Sequence, residues 1–335
     1  MDLVLDIVFL LTELFLLLLG LGFLTVIAFY VVDRTQTRHS LRRNFPVLAR
    51  FRYLFEKLGE FFRQYFFAMD REELPFNRAE RSWVYRAAKG ADTTVAFGST
   101  RDLKRPGTVI FVNCAYPMLE QDTQPPRPLV IGPATPNPFA TAAFFNVSGM
   151  SYGAISKPAV QALSRGAAKA GVWLNTGEGG LSQAHLDGGA DIVFQIGTAN
   201  YGVRDSLGQL DAVKLKAVAA HEQVRMFEIK LSQGAKPGKG GILPGAKVSG
   251  EIARIRAIPE GEDSISPNRN PAIDSGESLL DALAQVRDLT GKPVGFKAVI
   301  GDYQWLNELC ELIGQRGKAS APDFITIDSA DGGTG

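Results

Sequence analysis

Hydrophobic positions change their period along this chain. Residues 14–32, LFLLLLGLGFLTVIAFYVV, include no charged side chain, and at about 1.5 Å rise per residue a helix of that length crosses most of a hydrocarbon core about 30 Å thick. Residues 46–67 behave differently: Leu48, Phe51, Leu54, Phe55, Leu58, Phe62 and Phe66 recur at helical spacing between basic positions, the pattern of an amphipathic helix. Such a helix suits a membrane surface and the flank of a globular domain equally well. Residues 78–88 read as a further short helix, and 95–129 as short strands and turns running into QPPRP.

From about residue 142 short apolar runs alternate with helical ones. Strands are predicted at 144–147, 172–175, 192–196, 226–229, 294–299 and 324–327, each followed within a few residues by Gly, Ser, Asp or Thr. Helices are predicted between them at 158–170, 210–220, 251–255, 278–290 and 303–315. Alternating β and α units imply an α/β fold with a parallel sheet, and strands whose C-terminal ends lead into polar loops suggest a TIM (β/α)8 barrel. Six strands are visible and the sequence ends at GGTG just after the sixth. The expectation is therefore an incomplete barrel of about six βα units, from a C-terminally truncated copy of a longer protein. The domain reading is a transmembrane anchor at 1–33, a basic amphipathic juxtamembrane helix at 34–70, a lead-in at 71–141 and a partial barrel at 142–335.

The flanks of the apolar run bear on its role. A cleavable signal peptide would need a basic leader and a small-x-small cleavage site, whereas Asp2, Asp6 and Glu13 precede this run. Arg34, Arg38, Arg42, Arg43, Arg50 and Arg52 follow it, an asymmetry that predicts a single-pass protein in the lipid bilayer with its globular part in the cytoplasm. The same arginines suit anionic headgroups or a solvated linker.

The whole chain has 335 residues, 45% of them hydrophobic, enough for one large α/β domain and an appendage. With 36 basic and 35 acidic residues it has no global field that would draw it to nucleic acid. Cys114 and Cys310 lie far apart with no CxxC spacing, so neither a disulfide framework nor a zinc site is predicted. His39, His185 and His221 show no ligand or triad spacing; surface or juxtamembrane positions are expected for them, and none is assigned to catalysis.

Chemistry concentrates in the loops. Residues 228–256, EIKLSQGAKPGKGGILPGAKVSGEIARIR, place six lysines or arginines among glycines and prolines. Exposed backbone N–H groups and fixed cations together grip carboxylates or phosphates. SGMSYGAIS at 148–156 and NTGEGG at 175–180 each follow a predicted strand, and DSADGGTG closes the chain at 328–335. Lys297 is a charged residue inside the apolar strand VGFKAVI, where burying an ammonium is costly without a partner anion.

NTGEGG, the 228–256 loop and DSADGGTG, in that order along the chain, resemble the FMN-binding synthase domain of the glutamate synthase family, over roughly 142–335, and the anchored lead-in resembles the family's membrane-anchored single-chain type. The resemblance implies an FMN-binding barrel in which Gly149, Met150 and Ser151 lie against the flavin and Asn175 and Thr176 approach it. Lys297 would contact the N1 and O2 region, Lys230 would meet flavin or substrate or else pair with Glu228, and Asp328, Gly332, Gly333 and Thr334 would lie near the cofactor. Glu178 would reach the substrate pocket, and Lys236 and Arg256 would each bind a carboxylate of 2-oxoglutarate. The implied activity is reductive amination of 2-oxoglutarate, through 2-iminoglutarate, to L-glutamate.

This sequence departs from that pattern at Ile242, where the family generally has glutamine, which loosens the assignment of 2-oxoglutarate and leaves another amino or oxo acid open. The chain opens Met1-Asp2 and then turns apolar, so the resemblance leads to the expectation of no amidotransferase cysteine on this chain and of a separate ammonia-supplying subunit and electron donor. An iron–sulfur cluster is expected only in the absent C-terminal part. The non-enzymatic alternative is a membrane-tethered truncated barrel without catalysis.

Overall fold

The computed structural model describes residues 2–62, 66–67, 69, 71–92, 94, 96–112, 114–235 and 238–330. It divides into two compact units, Met1–Ile110 and Phe111–Gly335. In the first, α1 (Asp2–Thr35), α2 (Ser40–Asn44), α3 (Leu48–Phe62) and α4 (Arg78–Ala88) follow one another. Within α1, Val4–Thr35 is long and apolar enough to cross a membrane, and its most apolar window is 0% buried, unlike the core helix of a soluble protein. The amphipathic pattern at 46–67 becomes α3. The start of α4 is set by a capping box, in which Asn77 Oδ1 accepts from Glu80 N at 3.0 Å and Glu80 Oε2 accepts from Asn77 N at 3.0 Å.

The second unit opens with an antiparallel pair, β1 (Leu129–Ile131) and β2 (Phe139–Thr141). Strands predicted across 95–129 are absent among the described residues before β1; that stretch holds one 3-10 turn, Glu120–Asp122, because its Pro, Gly and Asp residues interrupt any ladder. Then follow α5 (Lys157–Ala170), β3 (Leu174–Asn175), α6 (Gln183–Leu186), β4 (Ile192–Ile196), α7 (Ala212–Ala219) and β5 (Val224–Lys230). A two-stranded ribbon comes next, β6 (Ile242–Leu243) and β7 (Ser264–Ile265), with α8 (Gly250–Arg256) between its strands. The chain continues through α9 (Gly276–Thr290), β8 (Val294–Val299), α10 (Gln304–Arg316) and β9 (Ile325–Asp328).

β3, β4, β5, β8 and β9 form one all-parallel sheet in that order, curled into a half-barrel. The strand predicted at 144–147 shrinks to a single parallel bridge, Val147 to Leu174. Phe144 and Phe145, which that prediction counted as sheet residues, are exposed and stack edge to face on each other instead.

Alternation along the strands separates two faces. Ile192, Phe194 and Ile196 of β4, Phe227 and Ile229 of β5, and Val294 and Phe296 of β8 pack outward on Leu215 of α7, Leu279, Leu280 and Leu283 of α9, and Leu309 of α10. A fully buried Phe or Leu of this kind contributes about 1.5–3 kcal/mol by transfer alone. The alternate positions, among them Gln195, Glu228, Lys230, Lys297, Thr326 and Asp328, face the inside of the curl.

Candidate functional site

The inner face grades from apolar to polar along the strand direction. Val193 and Met226 sit low, packed with Ile131 and Phe139 of the β1–β2 pair. One step higher Gln195 stands beside Glu228, and higher still Lys230 stands beside Lys297, which is in register with Thr326. The C-terminal rim of a parallel sheet is where such folds assemble their sites, because every following loop starts there.

At the centre lies Glu228, which is buried. Its Oε1 accepts from Asn175 Nδ2 at 2.9 Å and from Gln195 Nε2 at 2.6 Å, and its Oε2 accepts from Thr326 Oγ1 at 2.5 Å. Three other strands thus converge on one carboxylate. Asn175 turns its other end to the following loop, where its Oδ1 accepts from Gly177 N at 2.9 Å. Thr176 Oγ1 accepts from Gln195 N at 3.0 Å and donates to Gly177 O at 2.9 Å. Gly177 has φ +63°, and a Cβ there would stand 2.6 Å from Ser151 N and 2.7 Å from Met150 C. Only glycine permits that approach, so NTGEGG and the loop holding Gly149, Met150 and Ser151 are locked together.

Glu178 follows within the same turn, nine-tenths buried, with Lys230 Nζ 3.3 Å from its Oε2. Lys230 therefore pairs with Glu178 rather than with Glu228, and its ammonium also donates to Gln233 Oε1 at 2.9 Å. Gly241, just before Ile242, lies so close to Glu178 Oε1 that a side chain there would displace the carboxylate. Ile242 itself is partly exposed on β6. One strand along, Lys297 Nζ sits 3.2 Å from Asp328 Oδ1, while Asp328 Oδ2 accepts from Gly234 N at 2.9 Å. Two lysines in adjacent register, each neutralised by its own carboxylate, thus crown the inner face.

Arg256, at the end of α8, is buried. It donates to Ser264 Oγ at 3.0 Å and to Tyr152 O at 3.1 Å, and it lies over the Tyr201 ring at 5.2 Å from the centroid. Its Nε is buried without a hydrogen-bond partner. Burial lowers its pKa, and the nearby Tyr201 and Glu178 oppose that shift. Burial also pushes the Tyr152 phenol up to about 12, assisted by its bond to Glu251.

His185 overturns the expected surface position: it is buried edge to face with the Tyr152 ring, with Ser182 Oγ 2.8 Å from its Nδ1 and Ser182 N donating to the same atom at 3.1 Å. The physical reason is α6, whose first turn is closed by this pair as a capping box. Burial pulls its pKa down to about 4.

Lys236, Gly332, Gly333 and Thr334 lie outside the described residues. Cys114 and Cys310 are free and exposed, and no group of metal-ligating side chains occurs among the described residues. Glu228, Gln195 and Thr326 escaped the sequence reading as a group. Their only signal was a polar residue at alternate positions of otherwise apolar strands.

Fold and site together define a class, the parallel (β/α) barrel type with a charged C-terminal rim. Residues 115–335 match the family described as the conserved region in glutamate synthase. The chain belongs to the glutamate synthase family. It is 39% identical over 345 residues to the glutamate synthase large subunit-like protein YerD of Bacillus subtilis, an alignment covering 91% of this chain and 65% of that one. It is 36% identical over 190 residues to the archaeal-type glutamate synthase [NADPH] of Thermotoga maritima, covering 56% of this chain and 34% of the relative. A glutamate synthase large subunit-like protein of Rhizobium meliloti is 32% identical over 191 residues, 56% of this chain and 38% of its own length. The chain thus spans less than two thirds of each of these relatives.

Proposed function

We propose that this chain forms part of an FMN-dependent, glutamate synthase-like oxidoreductase that converts 2-oxoglutarate and ammonia, through 2-iminoglutarate, to L-glutamate. The observation that carries the reading is the pair of inward lysines, Lys230 and Lys297, side by side at the rim and each held by a carboxylate. A buried ammonium needs a partner anion, and an incoming anionic ligand could take the place of the carboxylate that now supplies it. Buried Arg256, whose Nε has no hydrogen-bond partner, lies within electrostatic reach of Glu178. The two lysines suit an anionic isoalloxazine edge, and Arg256 suits a carboxylate.

On this reading Lys297 and Lys230 would hold the cofactor's N1 and O2 side, with Asn175, Thr176 and the Gly149–Met150–Ser151 loop shaping the ring's bed. FMN, when bound, supplies the hydride chemistry. Arg256 and Lys236 would hold the oxo-acid carboxylates. Glu178 would orient the substrate and move a proton at its carboxylate, freed as Lys230 turns to the ligand. Electrons and ammonia would come from separate partners.

In the same proposal α1 spans the bilayer with the arginine-rich flank and the globular unit on the cytoplasmic side. Ile242, an apolar side chain next to the Gly241–Glu178 contact, favours a second reading in which the acceptor is a less polar oxo acid.

The test is visible absorption of the purified chain titrated with FMN, followed by reoxidation of the reduced protein by 2-oxoglutarate plus ammonium. Stoichiometric uptake that weakens at least about tenfold in Lys297→Met agrees with the loss of a charge-assisted bond of about 1.5–3 kcal/mol. Absence of any FMN uptake would sink the flavin assignment. Uptake with reoxidation only by other oxo acids would select the second reading.

A further inference from the structure

The connection between α1 and α3 is built as a rigid corner. Asp33 closes the last turn of the apolar helix and is fully buried. Arg50 on α3 grips it with two bonds, Nε to Oδ2 at 2.8 Å and Nη2 to Oδ1 at 2.7 Å, and Val47 N donates to Oδ2 at 3.1 Å. The guanidinium carbon also lies 4.0 Å from the Phe29 ring centroid. Val47 itself has φ +64°, a left-handed conformation that a β-branched residue adopts only when its surroundings impose it. Arg34 reaches across to Arg43 O at 3.2 Å, and Gln36 bonds the backbone of Asp33 and His39. A loose linker would need none of this.

What the corner presents is α3, about 22 Å long at 1.5 Å per residue. Leu48, Phe51, Phe55, Leu58 and Phe62 recur on one side of it and are all exposed. Leu54 widens that side, Arg52 and Glu56 border it on the opposite flank, and Lys57 stands across from it beside Tyr53. Residues 34–62 carry seven basic and two acidic side chains. An apolar helix face joined rigidly to a spanning helix and surrounded by cations meets one kind of surface, the headgroup boundary of an anionic leaflet.

We infer that α3 lies in that boundary on the arginine-rich side of α1, its Phe51–Phe55–Phe62 stripe immersed among acyl chains, and that the Asp33–Arg50 pair sets its angle to the span. This rests on the reading of α1 as a membrane span. A carboxylate at the end of a span is costly to desolvate, and the bidentate arginine offsets part of that cost while fixing the corner.

The test uses the full chain with Cys114→Ser and Cys310→Ser, reconstituted in vesicles of phosphatidylcholine with and without phosphatidylglycerol. Spin labels are placed through Phe55→Cys, Lys57→Cys or, within α1, Phe23→Cys, and their accessibility to oxygen and to a water-soluble nickel chelate is compared. The expected result is position 55 rich in oxygen contact, position 57 rich in nickel contact, and a larger contrast with phosphatidylglycerol. Adding Asp33→Asn should abolish the contrast between 55 and 57 while position 23 stays in lipid. Equal nickel access at 55 and 57, with 23 still in lipid, overturns the inference and spares the span. Shielding of 55 from both reagents overturns it in favour of a protein partner, whereas nickel access at 23 removes the span on which it rests.

Discussion

Truncating Glu228 to alanine should cost far more than converting it to glutamine. The carboxylate accepts from Asn175, Gln195 and Thr326 inside the half-barrel. In Glu228→Ala all three donors lose their acceptor, and at about 1–3 kcal/mol for each buried unsatisfied group the loss lies around 3–6 kcal/mol once partial hydration is allowed. Hydration is feasible because Asn175, Glu228 and Thr326 also line a cavity of about 350 Å3 beneath the site. Glutamine keeps the geometry: its carbonyl oxygen replaces Oε1 for Asn175 and Gln195, and its amide meets Thr326, whose hydroxyl can turn from donor to acceptor. Only charge assistance is lost, about 1 kcal/mol, offset by cheaper burial of a neutral group. Urea unfolding of the detergent-solubilised chain by circular dichroism gives the stability difference. Hydrogen exchange should localise it to β3, β4 and the Gly177 loop. Equal losses in the two variants would refute the reasoning, since charge rather than donor satisfaction would then govern the site.

Gly177→Ala should destabilise by about 2 kcal/mol or more, because a left-handed alanine costs about 1–2 kcal/mol before its Cβ presses on the Met150–Ser151 backbone; the same unfolding assay measures it, and a neutral result would contradict the packing of the two loops. Phe227→Ala removes a fully buried ring between the sheet and its helices and should cost about 3–5 kcal/mol by thermal or urea unfolding. His185 has a folded pKa near 4 against 6.5 when free, so its contribution to stability is complete above pH 6.5 and declines as pH falls towards 4, up to about 3 kcal/mol in all. Protonating Nδ1 would set a proton against the Ser182 N–H that now donates to it. His185→Gln should flatten that part of the stability–pH curve, and an unchanged slope would show that the histidine is not the titrating group.

Much of the fold was legible because its signals are local. Polar-flanked apolar runs located 192–196 and 294–299 to the residue, since each is an apolar string broken by a single polar side chain, Gln195 in β4 and Lys297 in β8. Helices α5, α9 and α10 fall within two residues of their predicted spans. Glycine loops marked the rim. The strand predicted at 144–147 failed because an apolar run becomes a strand only when a neighbour pairs with it along its length, and Val147 alone finds one. The ribbon of β6 and β7 went unseen for the converse reason: each strand is two residues long and the partner lies beyond α8.

Composition and periodicity by themselves determined that this chain carries an apolar helix of membrane-spanning length, a basic amphipathic helix after it, and alternating β and α segments whose loops hold glycine, lysine and carboxylate. Which charges meet was decided only by the tertiary structure. Lys230 lies two residues from Glu228 in sequence yet pairs with Glu178, and Lys297 finds Asp328 across a strand. Glu228 is satisfied by three neutral side chains instead, and His185 is buried rather than exposed. Residues two apart on a strand share a face but stand at different heights, whereas the curl of the sheet brings loops from separate strands to one height. Pairing depends on that convergence in space, which no linear pattern contains.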